Sequence, residues 1–235
     1  MSSQSLKDKI ALVTGASRGI GASIAKAYGR EGAHVLLLGR TVGALQDVHD
    51  HIVADGGKAT IMPVDLKDID ALSTIGPTIF EKFGGLDIFV ANAGILGTLR
   101  PLAQTPMKEW HEVMTVNVSA NVQMIRSLDP LLRASDAGRV IFLSSGVVPN
   151  PRSYWGAYSA SKAAIESVAH TYACECEPTN VRVNIVDPGR VRTDMRAQAY
   201  PGEDGSKLPH PDDITDVFVD LALPTQTQNG ARIDA

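Results

Sequence analysis

The run KIALVTGASRGIGASIAKAYG, Lys9 to Gly29, decides how the rest of the chain is read. Ile10–Val13 is a short apolar strand, the next residues are rich in glycine, and an amphipathic helix begins near Ile20. The glycines fall at 15, 19 and 21, a TGxxxGxG spacing. Gly15 permits the tight turn that leaves the strand, while Gly19 and Gly21 let a ligand and the sheet approach the backbone closely. The helix start then aims free N–H groups and the positive end of its dipole at a phosphate group. A glycine-rich turn alone also serves purely structural ends. With a strand before it and an amphipathic helix after it, this one reads as the pyrophosphate cradle of a dinucleotide fold.

Outward from that run, short apolar stretches alternate with helical patterns. The strand candidates are Ile10–Val13, His34–Leu38, Ala59–Pro63, Leu86–Ala91, Arg139–Leu143, Val181–Val186 and Ala231–Asp234. Most are continuously apolar, as strands of a parallel sheet covered on both faces must be. Between them the periodicity predicts helices over Ile20–Arg30, Val42–Ala54, Ile69–Phe83, Met107–Leu132, Ala157–Glu177 and Asp212–Leu223. Repeated βα units imply right-handed crossovers and an α/β, doubly wound, parallel sheet with helices on both faces. No repeat, low-complexity tract or linker interrupts the pattern, so residues 1–235 read as a single Rossmann-type domain. The one loop-like insertion, AYPGEDGSKLPHP from Ala199 to Pro211, has the length and composition of a lid or binding loop.

Composition narrows the partners. The chain has 235 residues, 44% hydrophobic and 20% charged, with a formal net charge of −4. That balance argues against nucleic acid, which demands a basic face. No apolar run approaches the ~18 residues of a membrane span, and MSSQSLKDK at the N-terminus lacks the apolar core of a signal peptide. Cys174 and Cys176 are spaced for neither zinc nor a redox pair and read as reduced thiols in a cytoplasmic protein. His34, His49, His51, His111, His170 and His210 form no metal-ligand pattern, so no metal site is expected.

The end of the second strand adds chemistry. A carboxylate there holds the ribose 2′-hydroxyl in NAD-binding folds, but this sequence reads LLLGRT, with Gly39 followed by Arg40. No acid repels a 2′-phosphate, and the Arg40 guanidinium offers a fork to bind one. Arg18 in the glycine-rich turn is placed to converge on the same phosphate, and Ser17 adds a hydroxyl donor. The expectation is NADP(H) in preference to NAD(H).

A second stretch, YSASK from Tyr158 to Lys162, carries a proton-transfer signal. On a helix these two residues lie one turn apart on one face. Hydride addition to a carbonyl puts negative charge on oxygen, which must be stabilised and protonated. A free phenol titrates near ~10, too high for an efficient acid–base group, and a neighbouring ammonium favours the phenolate. Tyr158 is therefore expected to be the general acid/base, with its pKa lowered by Lys162. Lys162 would also hydrogen-bond the cofactor ribose. Tyr154 and Trp155 precede this helix as candidates for a pocket wall, and Leu96, Val147 and Met195 would add apolar surface suited to a hydrophobic substrate.

Taken in order, TGASRGIG (14–21), VDLKD (64–68), ANAG (91–94), Asn117 in TVNVSAN, LSSG (143–146), YSASK (158–162) and DPGRVRTDM (187–195) resemble the short-chain dehydrogenase/reductase family over nearly the whole chain. The resemblance is to a small bacterial NADP-preferring reductase branch. It implies a sheet of about seven strands in the order 3-2-1-4-5-6-7. It implies that Asp65 meets the adenine edge with Leu66 beside it, and that Asn92, Ala93 and Gly94 line the ribose side. Pro188, Gly189, Val191 and Thr193 would hold the nicotinamide carboxamide. Ser145, rather than Ser144, would donate to the substrate oxygen, and Asn117 would hold a water linking Lys162 to solvent. The family often has Asn where Ala91 stands. The brief segment after Met195 and the stop at Ala235 imply a reduced lid and reduced C-terminal contacts.

The expected function is hydride transfer between NADP(H) and a small or hydrophobic carbonyl or alcohol. The expected assembly, again by resemblance, is a homo-oligomer, dimer or tetramer, built on the helices over 107–132 and 157–177. Two alternatives stand beside this reading. A sugar-nucleotide epimerase or dehydratase shares YxxxK but requires a C-terminal substrate domain. A non-catalytic NADP-binding sensor has no use for Ser145, Tyr158 and Lys162 together.

Overall fold

A computed structural model of the chain describes residues 4–235; residues 1–3 of the polar N-terminal run lie outside the described part. Seven parallel strands form one sheet: β1 (Ile10–Thr14), β2 (His34–Gly39), β3 (Lys58–Pro63), β4 (Ile88–Ala91), β5 (Arg139–Leu143), β6 (Arg182–Asp187) and β7 (Arg232–Asp234). Their order is β3-β2-β1-β4-β5-β6-β7, as the resemblance implied. Every pairing is parallel, including Leu12 opposite Leu36 on one side and opposite Phe89 on the other.

The continuous apolar runs are explained by two cores. Along β1, Leu12 faces one core, while Ala11 and Val13 face the other. Leu36 and Leu38 of β2 go with Leu12, and Val35 and Leu37 with Val13, so alternation persists although none of these positions is polar. The helices are α1 (Gly19–Arg30), α2 (Val42–Ala54), α3 (Ile69–Ser73), α4 (Ile75–Phe83), α5 (Met107–Met114), α6 (Ala120–Ala134), α7 (Gly156–Cys176), α8 (Asp194–Ala199) and α9 (Asp216–Ala222). Buried residues of α1, α2 and α9 cover the Val13 face; those of α3, α4, α6 and α7 cover the Leu12 face. Burial of these side chains contributes the main stabilisation, roughly 1.5–3 kcal/mol for each fully buried large aliphatic.

Three predicted elements differ from the observed ones. The helix expected over Ile69–Phe83 breaks at Thr74. The cause is α6, which presses against Gly76 so closely that a Cβ there would meet the Ser127 carbonyl oxygen at 1.9 Å. Ser127 Oγ bridges the break, accepting from Gly76 N at 2.9 Å and donating to the Ser73 carbonyl at 3.0 Å. The long helix expected over Met107–Leu132 is interrupted by a π-helical turn, Thr115–Ser119, that joins α5 to α6. The helix expected over Asp212–Leu223 is a 3₁₀ turn, Pro211–Ile214, followed by the shorter α9. The sheet order reverses between β1 and β4, and ligands of such folds sit outside the strands' carboxyl ends at that point.

Candidate active site

At that switch point the glycine-rich turn is fastened to the end of β4. Thr14 Oγ1 accepts from Asn92 N and Ala93 N, each at 3.1 Å, and donates to the Val90 carbonyl at 3.2 Å. Asn92 Nδ2 returns the contact, donating to the Thr14 carbonyl at 2.8 Å. Gly15 and Gly19 have φ of +65° and +55°, the left-handed region that glycine alone adopts freely. Gly21 is needed for a different reason: a Cβ there would lie 2.4 Å from both Asn92 Nδ2 and the Gly15 carbonyl oxygen. Gly21 thus serves the packing of the turn against β4 rather than the approach of a ligand.

The turn forms one wall of a cleft of about 1580 Å³ that runs along the carboxyl ends of the strands. All the residues expected to act in catalysis or to hold the cofactor line it except Asn117. Gly15, Ser17, Arg18, Gly19, Ile20 and Gly21 border one stretch, with Arg40 exposed at the end of β2. Asp65, whose Oδ1 accepts from Lys67 N at 2.9 Å, and the buried Leu66 stand beyond β3. Asn92, Ala93 and Gly94 follow β4, and Pro188, Gly189, Val191 and Thr193 follow β6. The β2 end bears no carboxylate, so the residues present suit a 2′-phosphorylated dinucleotide. Arg18 is paired with Asp194 at 3.2 Å. Both partners are largely exposed, so that pair is screened and exchangeable.

Ser145, Tyr158 and Lys162 converge at the other part of the cleft. Ser144 and Ser145 are separated by burial: Ser144 is 3% exposed and donates inward to Glu166 Oε1, whereas Ser145 is half-buried on the cleft. Ser159 Oγ, one residue past Tyr158, donates to the Val147 carbonyl at 3.1 Å and locks the serine loop to α7. Lys162 Nζ lies 5.7 Å from the centre of the Tyr158 ring and donates to the Leu143 carbonyl at 2.7 Å.

The electrostatics depart from the sequence expectation. Burial pushes the Tyr158 phenol up to about 12; the Ser145 hydrogen bond offsets part of the rise and the Asp187 carboxylate adds to it. Burial likewise pushes Lys162 down to about 8, against the Asp187 and Glu166 carboxylates that favour its ammonium form. In both groups burial is the largest cause, and it acts against the direction that the spacing suggests.

Asn117 sits behind the cleft, 2% exposed, in the π-helical turn. Its Oδ1 accepts from Ile95 N at 2.8 Å, and its Nδ2 donates to the Ile95 carbonyl and to Ser161 Oγ, each at 2.9 Å. Both amide hydrogens are engaged, which leaves one Oδ1 lone pair for any further partner. The π turn widens the helix locally and directs this side chain at the β4 loop.

Trp155 lines the cleft and meets the Tyr158 ring edge-on at 5.8 Å. Tyr154 does not join it: with φ of +75° it turns away and is 59% exposed. Leu96 and Val147 pack with Tyr158 in a small apolar cluster flanked by Leu99, Met195 and Ala199, so the three expected wall residues are brought together. Sequence reasoning missed α8 and the carboxylates Glu166 and Asp187 near Lys162. Glu166 had a signal, since residues 158, 162 and 166 repeat at one helical turn; Asp187 is placed only by the sheet. Among the described residues no cluster of three or more His, Cys, Asp or Glu side chains could hold a metal ion, and no helix is long and apolar enough to cross a membrane.

Known proteins resemble this chain in sequence and fold. The family model for the short chain dehydrogenases matches residues 9–204. An uncharacterized oxidoreductase, YciK, of Escherichia coli K12 is 40% identical over 98% of this chain and 92% of its own length. A Shigella flexneri short chain dehydrogenase solved in complex with NADP is 38% identical, superposes with a TM-score of 0.95, and is covered over 99% of each chain. An Escherichia coli CFT073 relative solved with NADPH is 39% identical, with a TM-score of 0.94 and 98% of each chain covered. Likeness of this degree, along essentially the whole chain and in both sequence and fold, places the protein in the short chain dehydrogenase family of oxidoreductases.

Proposed function

We propose that the protein is an NADP(H)-dependent carbonyl reductase, reversible as an alcohol dehydrogenase, with Tyr158 as its general acid/base. The observation that carries this reading is the meeting of two hydroxyls, Ser145 and Tyr158, beside Lys162 and against an apolar wall. Bound NADPH supplies a hydride; the chain's own residues do the rest. Ser145 donates a hydrogen bond to the substrate oxygen, and Tyr158 delivers the proton as charge develops there. Burial holds the Tyr158 phenol in its protonated form, the form that can donate in the reductive direction. Lys162 binds the cofactor ribose and supports the phenolate left behind, and Asn117 braces the Ile95 backbone and α7 around it.

Arg40, Arg18 and Ser17 favour the 2′-phosphate, in keeping with the two NADP-bound and NADPH-bound relatives. Asp65 and Leu66 serve the adenine, Asn92 to Gly94 the ribose, and Pro188, Gly189, Val191 and Thr193 the nicotinamide. Leu96, Val147, Trp155 and Met195 favour a substrate with an apolar body. The chain acts as one nucleotide-binding unit over 1–235, in the cytoplasm. It assembles as a homo-oligomer through α5, α6 and α7, a reading supported by the exposed apolar Met107 and Val122.

The test is Tyr158→Phe, assayed by NADPH consumption across a panel of ketones and aldehydes. Turnover is expected to fall by about 10²–10⁴-fold, with NADPH affinity unchanged. A phenylalanine variant that turns over like the parent ends the reading and leaves a cofactor-binding protein without chemistry at Tyr158.

A further inference from the structure

Arg232, the first residue of β7, belongs to none of the motifs above, yet its guanidinium reaches three carboxylates. Nε donates to Glu166 Oε1 at 3.1 Å, Nη2 to Asp187 Oδ2 at 2.7 Å and Nη1 to Asp234 Oδ1 at 2.8 Å. Asp234 is 79% exposed and counts for little, whereas the Glu166 and Asp187 side chains are only 12% and 11% exposed. Those two carboxylates sit on elements that carry the site. Glu166 lies on α7, one turn beyond Lys162, and accepts from Ser144, the neighbour of Ser145. Asp187 ends β6; its Oδ1 accepts from Gly189 N at 3.0 Å, and a Cβ on Gly146 would lie 3.4 Å from its Oδ2. One guanidinium therefore ties together α7, the serine loop and the turn after β6.

Charge balance gives that tie a consequence. Buried charges persist only when paired, and the unpaired member of such a set is costly. Asp187, Glu166, Arg232 and a protonated Lys162 sum to zero. We propose that Arg232 is a positioning residue for the proton-transfer site, setting the charge of Lys162 by balancing Asp187 and Glu166 without touching the reacting atoms. The proposal rests on the catalytic reading of Lys162 given above. The charged or titratable groups that bear on Lys162 are Tyr158 and Glu166 from its own helix and Asp187 from β6; Arg232 of β7 acts through the two carboxylates it pairs, and its third partner, Asp234, is exposed. β5 contributes a neutral partner, the Leu143 carbonyl.

The signs follow. Without the guanidinium, both carboxylates act on Lys162 alone and hold its proton more tightly. Without the Glu166 charge, one of the two supports against desolvation is lost and the proton leaves earlier. The experiment is an NMR titration of the Lys162 Cε resonance in isotope-labelled full-length protein, assigned with Lys162→Arg. The parent midpoint is expected near 8. Arg232→Gln is expected to raise it by about one pH unit and Glu166→Gln to lower it by about one, while Arg232→Lys, which keeps the charge, stays near the parent. The upper limb of the reductive pH–rate profile should move with the midpoint. Midpoints that stay fixed, or that move the same way in both glutamine variants, reduce Arg232 to a strut and overturn the proposal. Should Arg232→Gln fail to fold alone, the charge-balanced double variant Arg232→Gln with Glu166→Gln decides it: a midpoint back near the parent supports the proposal, and one as low as in Glu166→Gln alone overturns it. Failure of the catalytic reading is separate: it appears as turnover in Tyr158→Phe, while the Lys162 midpoint reports on Arg232 regardless.

Discussion

The two ends of the cleft are held by different means. At the glycine-rich end the contacts are short in space and rest on backbone: Thr14, Gly15, Asn92 and Ala93 bond through main-chain atoms and through the side chains nearest to them. At the substrate end, α8 and the segment running to Pro211 hang mainly on long side chains. Arg196 forks onto Glu203 at 2.5 and 2.6 Å, its guanidinium lies 3.8 Å over the Tyr200 ring, and Tyr200 approaches Trp155 at 5.8 Å. One backbone bond, Arg192 N to the Pro209 carbonyl at 3.0 Å, closes the segment. A backbone-built end tolerates almost no change in side-chain size. A side-chain-built end can be retuned residue by residue, which suits the part of an enzyme that selects its substrate.

The sharpest way to break the first end is Gly21→Ala. A methyl group placed 2.4 Å from Asn92 Nδ2 and the Gly15 carbonyl must push the turn off β4. Overpacking of this kind costs about 1–3 kcal/mol of stability. Loss of the cradle should weaken NADPH binding by roughly 100-fold, equivalent to ~2.7 kcal/mol. Calorimetry and thermal melting read both quantities. An alanine variant with parental affinity would mean that the turn yields, and that the supposed rigidity of this end is wrong.

A smaller effect is expected from Arg40→Asp, which leaves the cradle intact and changes only the charge beside it. Loss of a charge-assisted contact to the 2′-phosphate should weaken NADPH by about 10- to 100-fold, while NADH binding holds or improves. NADH preferred by the parent, with no change in the variant, would assign Arg40 to the surface.

This contrast also accounts for what was legible in the sequence. The doubly wound sheet with helices on both faces and the glycine-rich turn follow from local patterns, namely apolar runs of strand length, glycines at fixed spacing, and helical periods between them; the strand order came with the family resemblance. Contacts that join distant segments left no local trace. Arg232 meets Asp187 across 45 residues, and no spacing rule connects them. The break at Thr74 depends on Ser127 of α6, and the π turn that directs Asn117 looks like ordinary helix in a hydrophobic pattern. Tyr154 was misplaced for a related reason: its positive φ is set by the chain path before α7, where Arg100 N bonds its carbonyl at 3.0 Å. Lys162 was expected to lower Tyr158 because spacing reveals proximity, whereas burial, which only the folded chain supplies, pushes the phenol the other way.

The mildest change tests the substrate end alone. Glu203→Gln keeps the shape of the fork to Arg196 and removes its charge, so the segment from α8 to Pro211 should loosen without leaving the cleft. Arg196 would retain its place over Tyr200, and Tyr200 its contact with Trp155, because neither depends on the carboxylate. A single solvent-near ion pair has modest weight, so KM for a carbonyl substrate is expected to rise by up to about fivefold. NADPH affinity and the melting temperature should stay at the parental values, since the glycine-rich turn and both cores are untouched. That split separates the two ends: a variant that lost cofactor affinity as well would show that α8 and the turn move as one body, with Arg18 and Asp194 as the link between them. Adding Asp194→Asn to Glu203→Gln then measures the link, because independent ends make the two effects on KM multiply, and a shared body makes the second change redundant.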